Sequence, residues 1–137
     1  MNEDERREII LDNYENPVNR KRMDNKDYIK VRSNNESCID DIDLYALIDK
    51  DVIKDITFEG EACAISVASS SIMIKNLIGK TIKEAKEYID SFYNMINEKE
   101  YNKDILKDAL VFDEIYKQGS RKTCALIPYM GIKQILD

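Results

Sequence analysis

The sequence contains no histidine and only three cysteines, Cys38, Cys63 and Cys124. Without histidine, the chain can form neither an imidazole metal ligand nor a Ser–His–Asp triad. The serine cluster at 69–71 is not part of a glycine-rich loop either, so we interpret these serines as helix-packing residues. Three cysteines cannot all pair within one chain, and no CxxC pair occurs. We therefore expect free thiols in a reducing compartment.

Long apolar runs and an excess of basic residues are also missing. No segment approaches the length of a membrane span, and the N-terminal residues MNEDERRE are too charged for a signal peptide. The 21 Lys and Arg residues against 27 Asp and Glu residues give a net charge of −6, which argues against a nucleic-acid surface. We therefore expect a cytoplasmic protein that binds neither membranes nor nucleic acids.

The composition is that of a globular protein. Hydrophobic residues make up 43% and charged residues 35% of the 137 positions, which is enough to form a core without disulfides. Neither an internal repeat nor a Gly/Ser linker divides the chain. The sequence therefore predicts a single domain over residues 1–137.

Strand patterns occur in the first half of the chain. Residues 28–32 are rich in β-branched side chains and predict a first strand. Residues 41–48 and 52–58 alternate between apolar and polar positions around a tight turn at 49–51, which predicts a β-hairpin. In the second strand of the hairpin, this alternation places four residues on one face: Val52, Lys54, Ile56 and Phe58.

Helical patterns flank these strands. An acidic segment with Ile9 and Ile10 predicts a helix that ends before Pro17. Residues 63–78 have apolar side chains at helical spacing, and Gly79 follows them as a helix-ending residue.

The second half of the chain is predicted to be helical. Thr81 and Glu84 form a capping-box pattern at the start of a third helix. Residues 104–117 predict one broken helix, and a last helical stretch follows Cys124. Strands followed by helices predict an α+β fold, with a small antiparallel three-stranded sheet and helices packed on one face.

The three cysteines occupy polar or glycine-flanked junctions. Cys38 lies in a polar turn between two predicted strands, and Cys63 lies at a strand-to-helix junction. Cys124 follows the basic pair Arg121 and Lys122. A helix N-terminus or a nearby cation stabilises a thiolate, which makes it a better nucleophile and metal ligand. The alternative, that each cysteine is a small buried apolar residue, stays open because the spacing alone carries no metal pattern.

A metal site built from three thiolates needs a fourth ligand, and in the absence of histidine a carboxylate is the candidate. Asp40 lies two residues after Cys38, and such neighbours share a face on a strand, whereas Asp41 alternates to the opposite face. A turn-capping role for Asp40 is the open alternative.

Four segments carry a pattern that can be compared with a known family. They are REIILDNYENPVNR, NNESCID, FEGEACAISVASSSIM and RKTCAL. Together they resemble the U-type (IscU/NifU-like) iron–sulfur cluster assembly proteins over nearly the whole chain. The third segment is the most specific, and its matching positions are Phe58, Gly60, Cys63, Ile65, Ser66, Ala68, Ser69, Ser71 and Met73.

Within this family, the long gap between the second and third cysteines and the lack of histidine resemble the SufU type more than the IscU type. Arg121, three residues before Cys124, is a supporting residue in the same pattern. The resemblance implies that zinc is bound by Cys38, Asp40, Cys63 and Cys124. It also implies that Cys38 is the catalytic residue, as the persulfide acceptor.

The resemblance further implies a sulfurtransferase-like function. The protein would take persulfide sulfur from a SufS-like cysteine desulfurase and pass it to a downstream iron–sulfur assembly scaffold or acceptor protein. Two alternatives stay open. One is a non-enzymatic scaffold that assembles and transfers a nascent iron–sulfur cluster, with iron or a transient cluster in place of zinc. The other is a docking module that binds the desulfurase without accepting sulfur.

Three residues differ from the family pattern. Ile39 replaces a glycine, and Glu36 replaces a proline. Pro128 lies four residues after Cys124, so we expect the last helix either to begin near Pro128 or to be kinked there.

Overall fold

The computed structural model describes residues 1–35 and 39–137 and contains a three-stranded antiparallel sheet in the order β1-β2-β3. The strands are Ile29–Asn34 (β1), Asp41–Asp49 (β2) and Val52–Glu61 (β3). Strand β2 pairs with both neighbours in antiparallel register. The predicted sheet and the predicted hairpin are therefore confirmed.

The hairpin between β2 and β3 turns at two residues that are not glycine. Lys50 and Asp51 have φ angles of 51° and 63°. Positive φ at both central residues is the backbone of a type I′ turn, whose twist matches that of the flanking strands. The tight turn predicted at 49–51 is thus present.

A β-bulge in β3 changes the predicted faces of this strand. Leu47 pairs with Asp55 and Ile48 pairs with Ile53, which leaves Lys54 as an extra residue. Because one extra residue shifts the alternation, Ile53 is buried and Lys54 is exposed. The prediction that Lys54 shares the apolar face of this strand is wrong.

Five α-helices and two 3₁₀ turns complete the described part of the chain. The helices are Glu3–Glu15 (α1), Ala64–Leu77 (α2), Ile82–Ile96 (α3), Lys103–Leu106 (α4) and Gly119–Leu136 (α5), and the 3₁₀ turns are Lys107–Phe112 and Ile115–Lys117. Helices α2 and α5 contact the sheet, while α1 packs on α2 and α3 packs on α5. Within residues 1–35 and 39–137, no helix is long and apolar enough to cross a membrane.

The predicted helix ends follow from local chemistry. Helix α1 ends at Glu15, two residues before Pro17. At the start of α3, the Thr81 side chain accepts a hydrogen bond from the Glu84 backbone, and the Glu84 side chain accepts one from the Thr81 backbone. The predicted capping box is therefore confirmed.

Helix α5 begins much earlier than the start near Pro128 that was one of our two predictions for it. It starts at Gly119 and continues through Pro128, so the prediction of a start near Pro128 is wrong. Tertiary packing outweighs the local cost of the proline. Tyr129 is fully buried and stacks on Phe92 of α3 at a centroid distance of 3.8 Å. A Cβ on Gly131 would overlap the side chain of Leu44, so this glycine allows α5 to lie close to the sheet.

Helix α2 is buried along almost its whole length, although it contains four serines. Every one of these hydroxyls has a hydrogen-bond partner, so the buried polar atoms are satisfied. Outside Ser66, the bonds run from Ser69 to the Ala125 carbonyl at 2.7 Å, from Ser70 to the Ser66 carbonyl at 2.8 Å and from Ser71 to Asn13 Oδ1 at 2.8 Å. The interpretation of residues 69–71 as packing residues agrees with these contacts.

Gly60 allows a close approach between β3 and β2. Its φ angle is 124°, and a Cβ at this position would collide with the Asp41 carbonyl oxygen of the neighbouring strand. Gly79 also has a positive φ, 90°, but a Cβ there would meet no atom within 4 Å. A side chain at Gly79 would therefore cause backbone strain alone, whereas a side chain at Gly60 would cause both backbone strain and steric overlap.

We expect Gly60→Ala to lower the free energy of unfolding more than Gly79→Ala. The Gly79 variant carries only backbone strain, about 1–3 kcal/mol. The Gly60 variant adds the overlap with Asp41, about 1–3 kcal/mol more. Urea unfolding followed by circular dichroism measures both losses. Equal losses in the two variants would contradict the close approach of β2 and β3 at this point.

Candidate metal centre

Three of the four predicted ligand residues meet at one end of the sheet. The carboxylate of Asp40 and the thiols of Cys63 and Cys124 place one ligand atom each within 4.8 Å of one another. Asp40 and Cys124 are buried, while Cys63 is half-buried. The fourth predicted ligand, Cys38, lies outside the described residues. It stays a prediction from the sequence.

The register of the sheet explains why Asp40 and Cys63 are neighbours. Asp40 immediately precedes β2, and Cys63 follows β3 as the N-cap of α2. Because β2 and β3 are antiparallel and Asp41 pairs with Glu61, the start of one strand lies beside the end of the other. Two residues that are 23 positions apart in sequence thereby come into contact.

Helix α5 contributes the third ligand residue from inside a helix. Cys124 lies five residues after the first residue of α5, in its second turn. The sequence prediction that the last helical stretch follows Cys124 is therefore wrong. The position remains suitable because α5 packs against both α2 and the sheet, which brings Cys124 to the same end as Asp40 and Cys63.

The Asp40 carboxylate is held by hydrogen bonds to both of its oxygens. Its Oδ1 accepts a 2.6 Å hydrogen bond from the backbone N–H of Cys63. Its Oδ2 lies 3.0 Å from Ser66 Oγ and 3.6 Å from Cys63 Sγ. Asp40 is only 1% exposed. A carboxylate buried to this degree requires such donors or a cation.

Asp41 is directed elsewhere. Arg32 of β1 binds it through two nitrogens, at 2.7 and 2.6 Å. The Arg32 hydrogen bond holds the pKa of Asp41 below its usual value. Successive residues therefore lie in different surroundings, and Asp40 is the carboxylate that faces the two thiols.

Cys63 caps helix α2 with its sulfur. Its Sγ accepts a hydrogen bond from the backbone N–H of Ser66 at 3.5 Å. The N-terminus of a helix is suited to a negatively charged ligand atom, because its N–H groups point outward and its dipole is positive there. The position of Cys63 therefore suits a metal-binding thiolate.

Ser66 is a residue of this site that the sequence analysis did not single out. Its hydroxyl lies 3.0 Å from Asp40 Oδ2 and 2.9 Å from the Cys124 carbonyl oxygen, so its single proton is shared between two acceptors. The available signal was its position three residues after Cys63, which is where a helix N-cap receives its hydrogen bond. In the sequence, Ser66 is one of the matching positions of the family motif.

Arg121 lies one helical turn before Cys124 and is exposed. It lines a groove of about 610 Å³ between α1, the start of α2 and the start of α5, together with Ala64 and Ile65. Among the described residues, Arg121 forms no ion pair. Its predicted supporting role stays a prediction.

The donor set fits a single divalent metal ion. Two sulfurs and one carboxylate are ligands that suit zinc or iron. Around a tetrahedral zinc with Zn–S distances of about 2.3 Å, two sulfurs are about 3.8 Å apart. Because the three ligand atoms are all within 4.8 Å of one another, small side-chain adjustments would suffice.

The fold and the site together define an α+β protein with a cluster of thiols and a carboxylate at one end of its sheet. Residues 5–125 match the NifU-like N terminal domain family, and the chain belongs to this family. The family resemblance inferred from the four sequence segments is therefore confirmed.

Individual relatives agree with this assignment. The zinc-dependent sulfurtransferase SufU of Bacillus subtilis is 36% identical over 129 residues, which cover 93% of this chain and 86% of that protein. The iron–sulfur cluster assembly scaffold protein IscU of Thermotoga maritima is 30% identical over 129 residues, which cover 94% of this chain and 90% of that protein. The crystal structure of FiSufU from Fervidobacterium islandicum superposes with a TM-score of 0.88 at 34% identity and covers 95% of both chains.

We expect Cys63 to react faster than Cys124 with iodoacetamide in the metal-free protein. Cys63 is half-buried, whereas Cys124 is only 7% exposed, and alkylation requires access to the sulfur. Mass spectrometry of tryptic peptides over time measures both rates. The same experiment in urea is the control, because both thiols are then exposed. A faster reaction at Cys124 in the folded protein would contradict the described burial.

Proposed function

We propose that this protein is a zinc-bound sulfur acceptor in iron–sulfur cluster assembly. It takes persulfide sulfur from a partner cysteine desulfurase and passes it to a scaffold or acceptor protein. The observation that carries the proposal is the convergence of Asp40, Cys63 and Cys124, whose ligand atoms lie within 4.8 Å of one another. The family membership and the SufU relative support the same function.

Cys38 is the fourth ligand and the sulfur acceptor in this proposal. Together with the three described ligand residues, it would complete a site of three sulfurs and one carboxylate oxygen. When bound, zinc supplies the positive charge that keeps these thiols deprotonated. The lack of histidine in the chain leaves Asp40 as the natural non-sulfur ligand.

The transfer step is a thiol–disulfide type exchange. The Cys38 thiolate attacks the terminal sulfur of the desulfurase persulfide. A new S–S bond forms on Cys38, the S–S bond of the desulfurase persulfide breaks, and the desulfurase cysteine leaves as a thiolate. Arg121 lies one turn from Cys124. A cation at this position would stabilise the attacking and departing thiolates.

The partner of this step is a cysteine desulfurase of the SufS type. Free thiols of this kind are kept reduced in the cytoplasm, which we propose as the location of the protein. Ile39 lies beside Asp40 and is 71% exposed.

A second function, favoured by the IscU relatives, is that of a scaffold on which an iron–sulfur cluster is assembled as cargo. It would use the same cysteines. Anaerobic reconstitution with iron and sulfide, followed by optical spectroscopy, distinguishes the two functions. A stable cluster that is transferred to an apo-ferredoxin would favour the scaffold over the sulfur acceptor.

We expect the purified protein to contain about one zinc per chain, and Asp40→Ala to lose most of it. Asp41→Ala is the matched control, because Asp41 is the neighbouring carboxylate and binds Arg32 instead of facing the thiols. Elemental analysis by mass spectrometry gives the metal content. A wild-type protein without zinc, whose unfolding is also unaffected by added zinc, would refute the metal centre.

We expect Cys38→Ala to abolish stimulation of the desulfurase and to leave no sulfane sulfur on this protein. The reason is that the proposed acceptor sulfur is removed. Alanine production from cysteine and mass spectrometry of the intact chain measure the two effects, with Asp41→Ala as the control variant. Full stimulation by Cys38→Ala would instead support a docking module that accepts no sulfur.

A further inference from the structure

Ser66 contacts all three described ligand residues. Its hydroxyl lies 3.0 Å from Asp40 Oδ2, and the same hydroxyl lies 2.9 Å from the carbonyl oxygen of Cys124. Its backbone N–H donates to Cys63 Sγ at 3.5 Å. Ser66 is fully buried, so these contacts are shielded from water.

Pro128 explains why the Cys124 carbonyl can receive the Ser66 hydroxyl. In an α-helix, the carbonyl of residue 124 would accept a hydrogen bond from the backbone N–H of residue 128. Proline has no N–H, and its ring crowds the carbonyl four residues earlier. The Cys124 carbonyl therefore turns to a side chain of α2. Pro128 therefore leaves the Cys124 carbonyl of α5 available to Ser66, the residue that also contacts Asp40.

We propose that Ser66 is a positioning residue of the metal centre. It would fix the carboxylate of Asp40 through one contact and the helix that carries Cys124 through the other. This inference rests on the proposed metal site. Groups that hydrogen-bond to metal ligands orient them, and their removal typically weakens metal affinity about 10–100-fold.

Three serines of α2 allow a matched experiment. Ser66→Ala removes the contact with Asp40 and the contact with α5. Ser69→Ala removes only a contact with α5, the hydrogen bond to the Ala125 carbonyl. Ser70→Ala removes a hydrogen bond within α2, to the Ser66 carbonyl. All three side chains are buried, so the variants share the general effect of losing a buried hydroxyl.

Zinc affinity is measured by competition with a chromophoric chelator, and the free energy of unfolding is measured on the metal-free proteins. We expect Ser66→Ala to bind zinc about 10–100-fold more weakly than wild type, while Ser69→Ala and Ser70→Ala keep the wild-type affinity. The visible spectrum of the cobalt-substituted protein should change only in Ser66→Ala, because only this variant frees the Asp40 ligand.

Pro128→Ala separates the two contacts of Ser66. It returns an N–H at position 128 that can bind the Cys124 carbonyl. We expect Ser66→Ala to lower the stability of the metal-free protein less in the Pro128→Ala background than in wild type. Most of the loss of zinc affinity should remain in the Pro128→Ala background, because Asp40 still lacks its serine while only the contact with α5 is replaced.

The results separate this inference from the proposed function. If wild type binds no zinc, the proposed metal centre fails. If wild type binds zinc and Ser66→Ala binds it equally well, only the role of Ser66 is refuted. It is also refuted if Pro128→Ala restores the zinc affinity of Ser66→Ala, since Ser66 would then act only through α5. If Ser66→Ala alone does not fold, the zinc affinity of the Ser66→Ala/Pro128→Ala double variant is compared with that of Pro128→Ala instead.

Discussion

The buried carboxylate of Asp40 is the constraint on which this end of the molecule depends. An ionised group without water must be surrounded by donors or a cation, since the cost of its burial otherwise exceeds the stability of a small protein. The Cys63 N–H and the Ser66 hydroxyl meet part of that requirement. Both come from the first turn of α2 and its cap, so the carboxylate fixes where this helix begins relative to β2. The two thiols lie beside the same carboxylate, and a metal ion could be bound between these three side chains.

Helix α2 carries further buried hydrogen bonds along its length, away from the site. A fully buried helix can slide or rotate when its contacts are only apolar, because such contacts have little directional preference. Here Ser71 binds Asn13 of α1, and Ser69 binds the Ala125 carbonyl of α5. These hydrogen bonds fix the rotation of α2 between its two neighbours. The position of Cys63 at the start of α2 is therefore set along the whole helix as well as by its own contacts.

Features that depend on neighbouring residues could be predicted from the sequence. The capping box at Thr81, the hairpin and the end of α1 before Pro17 are of this kind, because each follows from a few adjacent side chains. The residues alone suggested Asp40 as a ligand beside the cysteines but left a turn-capping role open, and the family resemblance was needed to decide, because the contact with Cys63 depends on the strand register. The bulge at Lys54 has no local signal, because an extra residue is defined only by its partner strand. The start of α5 was missed because packing of residues such as Tyr129 outweighs the proline. Ser66 was missed because its partners come from two distant segments.

The described ligand residues differ in their access to solvent. Asp40 and Cys124 are sealed by protein, whereas the sulfur side at Cys63 is partly open. Of the three ligand residues that the structure describes, Cys63 is therefore the one that a reagent reaches most readily. A docked protein and a metal-extracting chelator would compete for access at Cys63. The lifetime of the bound ion would then lengthen while a partner is docked, and the same contact that brings reactants to the centre would protect it.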